Sequence, residues 1–544
     1  MTTWRERLER VPPAWALTAL AACPFLAAAA RAMRGSWYPI GDNAFFALRA
    51  SDVLTEHNPL LGTWTSASLT VDRRLNNPGP LLFDWLAAPV RLDVAAGTVL
   101  AVAALHVVAL VIAVRWAQRT GGTLAAAAVA SAFAALAWAM GSEILIEPWQ
   151  PHSLLPAFLC YLVLVWAVVR GDLTALPWAA GVASLVLQTH LSYGILVPGL
   201  ALLALGSVLL RARRAPGTGL RRPLGWATVV MAIAWAQPLY DQLVGSGNLA
   251  AVLTNGGGGD ELAGPGFAAR VLSSVGAVPG GWAPGGFSRL EVDLVAVRAP
   301  GEPPALDGLA STGSAVAWGL VAAAVVAAVA AVAWRRRDVV WGSALGVAGV
   351  AIGLAFVTVA VLPVSPVLGV AAHQVRPVWP VVLFAMATAG AVVLRAVPWG
   401  AGAAVALCAL LVALGIPARS PATGPSADAW AIPIVRDLVA QLDPLEGAGV
   451  VLVDLSVIRF AEPYSTPVML ELERRGIEFV VDDEIAVGQL GVGREHRRGD
   501  AVDTEVRIVD GVAATSPEPG WERVAYVEGD TDRETAAVLA RPVP

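Results

Sequence analysis

Residues 13–33, Pro13-Ala-Trp-Ala-Leu-Thr-Ala-Leu-Ala-Ala-Cys-Pro-Phe-Leu-Ala-Ala-Ala-Ala-Arg-Ala-Met33, decide the fold class. A helix of about 20 mostly apolar residues crosses the hydrocarbon core of a bilayer, and this run meets that length directly after a charged segment holding Arg5, Arg7 and Arg10. A secretory leader shows the same order of charge and apolarity. Here, however, no small-residue cleavage site closes the run, and many similar runs follow. They lie at 94–115, 122–141, 153–169, 173–189, 191–210, 224–240, 313–334, 338–363, 377–395 and 398–416. The expectation is an α-helical polytopic membrane protein with about 11 transmembrane helices.

Composition agrees. Of 544 residues, 56% are apolar and 15% are Asp, Glu, Lys or Arg, against roughly 25% charged in soluble domains. A soluble chain is excluded on that ground, and a net charge of -5 with so much apolar content excludes a disordered one. All 37 basic residues are arginine, in short clusters separated by long neutral stretches, so there is no nucleic-acid footprint. Cys23, Cys160 and Cys408 each fall inside an apolar run, without the spacing of a metal site or a disulfide framework.

The arginines test the topology. Arg115 and Arg119 follow the second run, Arg170 the fourth, Arg211, Arg213, Arg214, Arg221 and Arg222 the sixth, Arg335 to Arg337 the eighth, and Arg395 the tenth. With alternating spans all of them share one side with the N-terminus, which the positive-inside rule makes the cytoplasm. The opposite, outer side then carries loops over about 34–93 and 241–312 and a tail over 418–544. The second loop contains Gly256-Gly-Gly-Gly-Asp260 and Pro279-Gly-Gly-Trp-Ala-Pro-Gly-Gly286, and is expected to be irregular. The tail reads differently. Strands are expected at 450–455, 478–482, 504–509 and 523–527, with an amphipathic helix at 467–475, giving a small C-terminal extracytoplasmic α/β domain joined to a membrane domain, 1–417, through the turn-rich Pro417–Ser426.

Polar residues at that outer face are the functional candidates, because ionisable groups at a membrane edge cost several kcal/mol unless paired or hydrated (roughly). The first loop opens Tyr38-Pro-Ile-Gly-Asp42-Asn-Ala-Phe-Phe-Ala-Leu-Arg49-Ala-Ser-Asp52, with Asp42, Phe45, Phe46 and Arg49 on one helical face. Asp42 can act in chemistry, or Asp42 or Asn43 can simply cap the helix. Arg73 and Arg74 precede Asn76-Asn77-Pro-Gly-Pro80, a turn that launches an apolar helix; the two arginines can pair with a phosphate or with lipid headgroups. Glu147, Trp149 and His152 lie between the third and fourth runs, His190 between the fifth and sixth, Tyr240 and Asp241 at the end of the seventh, and His373 and Arg376 before the tenth. Any single histidine can be structural, but His57, His152, His190 and His373 share the outer side, which points to a common polar cavity. None has zinc-motif spacing.

In order along roughly the first 250 residues, Gly41-Asp42-Asn-Ala, Asn77-Pro-Gly-Pro-Leu, Trp149-Gln-Pro-His152, Gln188-Thr-His190-Leu-Ser and Gln237-Pro-Leu-Tyr240-Asp241-Gln followed by Gly247-Asn248-Leu249 resemble bacterial membrane glycosyltransferases of the GT-C superfamily, near the protein O-mannosyltransferases. The resemblance implies a GT-C-like membrane domain in the bacterial plasma membrane, with the N-terminus cytoplasmic. It also implies transfer of a sugar, hexose or pentose, from a polyprenyl-phosphate-linked donor to an envelope glycan or exported protein acceptor on the outer face. Asp42 maps onto the acidic residue that serves such enzymes as base, implying inversion at the anomeric carbon. Arg73, Arg74 and Arg376 would bind the donor phosphate, and Asn77, Glu147, His152, His190, Tyr240, Asp241 and His373 would line the substrate cavity. Many relatives carry an acidic pair where this chain has Asp42-Asn43, and often His-Pro-Gly-Pro where it has Asn77-Pro-Gly-Pro. No organic cofactor is implied; a divalent metal ion at Asp42 is compatible with the chemistry but unspecified by spacing. The competing readings are a transporter or flippase of a lipid-linked or anionic substrate, for which no internal repeat speaks, and an inactive scaffold that recruits partners through its tail.

Overall fold

The structure is a computed structural model that describes residues 14–71, 73–214, 219–255, 261–277, 306, 309–365, 369–416, 428–458 and 462–543. The charged N-terminus, both glycine-rich segments of the second loop and the Pro417–Ser426 connection lie outside the described residues.

Each apolar stretch marked in the sequence is helical. They form α1 (Ala14–Arg34), α4 (Val94–Ile144), α5 (Gln150–Arg170), α6 (Leu176–Thr189), α7 (Leu196–Arg214), α8 (Arg221–Ala234), α12 (Thr312–Arg335), α13 (Val339–Ala360), α15 (Val378–Leu394) and α16 (Gly400–Gly415). Among the described residues, 7 helices are long and apolar enough to span a membrane singly. Two stretches expected separately, 94–115 and 122–141, form one 51-residue element. At 1.5 Å per residue its length would be about 76 Å, far beyond a ~30 Å hydrocarbon core. Gly122, at φ 72°, interrupts the helical path between the two stretches, a backbone that a side chain would resist. The stretch expected at 224–240 is likewise broken, at Trp235, into α8 and α9 (Ala236–Val244).

Helix α5 is the centre of the bundle. Its side chains from Gln150 to Val168 are buried, with Trp166 stacked on Trp341 of α13 at 5.7 Å and the Tyr161 hydroxyl donating to the Val197 carbonyl of α7. Helix α12 is the opposite case: apolar all round yet largely exposed, as a lipid-facing helix should be. Asp93 caps α4 by accepting from the Ala96 amide at 2.7 Å, and Asp338 caps α13 from Trp341.

The connections at one end of the bundle are structured. The first carries α2 (Asp42–Asp52) and α3 (Leu81–Leu92), and the described part of the second carries α10 (Asn248–Asn255) and α11 (Gly264–Gly276); the glycine-rich segments expected to be irregular lie outside the described residues. The short α14 (Ala372–Val375) precedes α15. Against this end lies a five-stranded sheet of order β2-β1-β3-β5-β4, built from β1 (Val451–Asp454), β2 (Phe479–Val481), β3 (Thr504–Asp510), β4 (Glu522–Val527) and β5 (Ala536–Pro542). Strands β2, β1 and β3 are parallel, and β5 pairs antiparallel with both β3 and β4. Helices α17 (Ala431–Val439) and α18 (Ser465–Arg474) cover the sheet. The expected strands and helix are present; β5 was not expected. This is a helical membrane protein with a small C-terminal α/β unit.

Candidate active site

Asp42 is the first residue of α2. Gly41 before it adopts φ 50°, ψ -132°, and no side chain caps the helix. The capping role open to Asp42 or Asn43 is therefore not used. Positive φ at Gly41, a conformation that glycine adopts freely, turns the chain so that Asp42 heads the helix. The side chain is open to solvent at its own surface, yet protein encloses it at longer range. That desolvation, reinforced by the charge of Glu147, raises its pKa to about 6. Such a carboxylate is poised to take up a proton near neutral pH.

Glu147 and His152 flank the start of α5. Glu147 is buried and hydrogen-bonds the Nδ1 of His152. Trp149, between them in sequence, places its ring 4.9 Å from His152 and 4.9 Å from His373. His190, Arg376 and His152 all lie within electrostatic range of His373, so these side chains converge on one region. Arg376 is 3% exposed, with its guanidinium 5.5 Å from the Trp379 ring. His190 accepts the Ser192 amide on Nδ1 at 3.1 Å. Burial holds its pKa near 4, so the ring is neutral with its proton on Nε2. The structure thus brings together Asp42, Glu147, His152, His190, His373 and Arg376.

Other candidates have different surroundings. Asn77 is buried and donates to the Thr63 carbonyl and hydroxyl while accepting the Leu191 amide at 2.9 Å. It fastens the first loop to the turn after His190. Gly79 completes the joint, its amide donating to the Gln188 carbonyl at 3.0 Å. Arg73 is exposed and Arg74 half-buried, and no described hydrogen bond or ion pair joins either to the cluster. Tyr240 is exposed. Asp241 accepts from the Ser246 amide and hydroxyl and from the Asn248 amide, so its carboxylate organises the start of α10. Among the described residues no group of three or more His, Cys, Asp or Glu side chains is arranged to hold a metal ion.

Sequence reasoning missed a buried ion-pair cluster at the far end of α2. Asp52, fully buried, binds Arg49 through one carboxylate oxygen and Arg494 of the C-terminal unit through the other. Arg494 also reaches Glu473 at 2.9 Å and lies 4.3 Å from the Phe479 ring. Burial raises the pKa of Asp52 and lowers that of Arg49. The i, i+3 spacing of Arg49 and Asp52 was the available signal; the cross-domain partner had none.

No family model and no curated protein matches this chain. Among solved structures, ArnT from Cupriavidus metallidurans bound to undecaprenyl phosphate matches over 96% of this chain and 97% of its own, at 15% identity and a TM-score of 0.53. The chain has a GT-C fold. The same protein in its apo state matches over 93% and 94%, at 16% identity and a TM-score of 0.41. In this GT-C fold the Asp42 cluster lies where α2, the start of α5 and the 373–376 turn meet, at the end of the bundle that bears the α/β unit.

Proposed function

We propose that this protein is an inverting glycosyltransferase that moves a sugar, hexose or pentose, from a polyprenyl-phosphate-linked donor to an envelope glycan or exported protein. In this reading the chain is a multi-pass protein of the bacterial plasma membrane with its N-terminus cytoplasmic. Asp42 and the domain formed by 418–544 then face outward from the membrane domain 1–417. The arginine distribution supports the orientation. The ArnT structure is described as bound to undecaprenyl phosphate, and a phosphate on an isoprenoid tail is the donor class proposed here.

One observation carries the reading. A carboxylate with its pKa raised to about 6 heads a short helix at the end of the spans, with a buried arginine in the same region. Asp42 accepts the proton of the acceptor hydroxyl as its oxygen attacks the anomeric carbon. The bond from that carbon to the phosphate oxygen breaks with its electron pair on the leaving phosphate. Arg376 offsets that charge, with Arg73 and Arg74 further out along the same loop end. Glu147 keeps the Asp42 pKa high and fixes His152, while His190, His373 and Asn77 shape the wall.

The test is turnover by the purified full-length protein with synthetic polyprenyl-phosphate sugars, product being read by mass spectrometry. Transfer by the wild type, abolished in Asp42→Asn, is expected. Full activity of Asp42→Asn, or translocation of the lipid across vesicles without any sugar transfer, would overturn the proposal.

A further inference from the structure

We infer that Arg494 is a positioning residue for Asp42, through which the C-terminal unit fixes the helix that carries the base. The inference rests on the reading of Asp42 as base. Its structural grounds are the two ends of α2. At the first end, the Gly41 amide donates to the Pro463 carbonyl at 3.4 Å. Pro463 is itself held in place, because the Glu462 carboxylate next to it caps α18 by accepting the Tyr464 and Ser465 amides. At the other end, Asp52 is the last residue of the helix and is wholly buried, and Arg494, 1% exposed, binds it at 2.5 Å. Arg494 is in turn anchored on Glu473 of α18. Two cations and two anions make this cluster, so it is neutral as a whole and its geometry, rather than its net charge, is what reaches Asp42.

The lever is short and stiff. Asp42 and Asp52 stand about 15 Å apart along the helix axis at 1.5 Å per residue. A tilt of about 5° at the Asp52 end therefore moves Asp42 by roughly 1 Å, and a misplacement of ~1 Å can cost on the order of 100-fold in rate. Arg494 touches neither donor nor acceptor in this scheme. Its loss should lower kcat and leave the donor KM in place, which a residue of the binding wall would not do.

The experiment uses the full-length protein in nanodiscs, comparing wild type, Arg494→Met, Arg494→Lys and Asp42→Asn. For Arg494→Met, kcat is expected to fall about 10- to 100-fold with donor KM within about twofold. Hydrogen exchange should quicken in the peptide 42–52 and stay unchanged in the membrane helices. Arg494→Lys keeps the charge and protects against a folding defect; it should recover part of the lost kcat. Unchanged kcat in Arg494→Met, a rise in KM alone, or faster exchange spread through the membrane helices would each overturn the positioning role. Full turnover in Asp42→Asn would instead remove the base itself, a separate failure read from a separate variant.

Discussion

The side-chain amide of Asn248 pairs twice with the backbone of Asn76, donating to its carbonyl and accepting from its amide, both at 2.9 Å. The first residue of α10 thus takes the place of a neighbouring strand. Because both groups of Asn76 are buried, Asn248→Ala leaves two unsatisfied polar groups at about 1–3 kcal/mol each. A clear fall in the thermal unfolding temperature in detergent is expected. Asn248→Asp should be as damaging at neutral pH, where a carboxylate would face the Asn76 carbonyl and the Asp241 carboxylate. Its folded-state pKa would be raised, so stability should return as pH falls and the protonated acid can donate again.

Gly79→Ala tests the joint between the first loop and the turn before His190. A methyl group at Gly79 would stand 2.2 Å from Oε1 of Gln188 and 2.7 Å from Pro238. Gln188 has little freedom to yield, since its Nε2 donates to the Ala234 carbonyl at 2.7 Å. Overpacking of this kind costs about 1–3 kcal/mol, measurable as a lower unfolding temperature, while Gly206→Ala, with open space around it, should show no such fall.

The pH profile of transfer reports on Asp42. As a base it must be ionised, so kcat should fall on the acid side with a midpoint near 6, the value to which burial and then Glu147 raise it. Removing the like charge in Glu147→Gln favours ionisation and should move the acid limb to lower pH. Asp42→Asn should remove the limb and lower kcat by about 10²- to 10⁴-fold. An acid limb that stays in place in Glu147→Gln would detach Glu147 from the Asp42 titration.

Among the arginines, position separates two expectations. Arg376→Gln, at a buried site beside His373 and Trp379, should raise donor KM by about tenfold or more, the loss of a charge-assisted contact being worth ~1.5–3 kcal/mol. The pair Arg73→Gln and Arg74→Gln, placed at a half-exposed edge, should change it much less. Titration of polyprenyl phosphate against each variant decides the ranking.

The membrane helices were legible because an apolar run of span length has few other destinations. Their breaks were legible in part: Arg115, Arg119 and the Gly121-Gly122 pair separate the runs 94–115 and 122–141, and the positive φ falls there, at Gly122, whereas the run 224–240 gave no sign of its break at Trp235. Strand β5, Ala536-Ala-Val-Leu-Ala-Arg-Pro542, escaped notice because alanine and proline carry little strand preference, although its run from Ala536 to Ala540 is buried between β3 and β4. At the site, spacing could nominate Asp42 but could not tell whether its side chain caps α2, which depends on the backbone at Gly41. Asp241 looked chemical for the same reason that it proved structural in its contacts: a carboxylate beside glycines binds amides as readily as substrates.

The hydrogen bond from Asn76 to the Gly488 carbonyl and the ion pair of Asp52 with Arg494 close over 412 and 442 residues of chain, with all but the first of the membrane helices in between. Translation therefore completes the whole membrane bundle before the C-terminal groups that bind its first connection have left the ribosome. The attachment of that connection to the C-terminal unit is thus the last closure open to the chain as it is made.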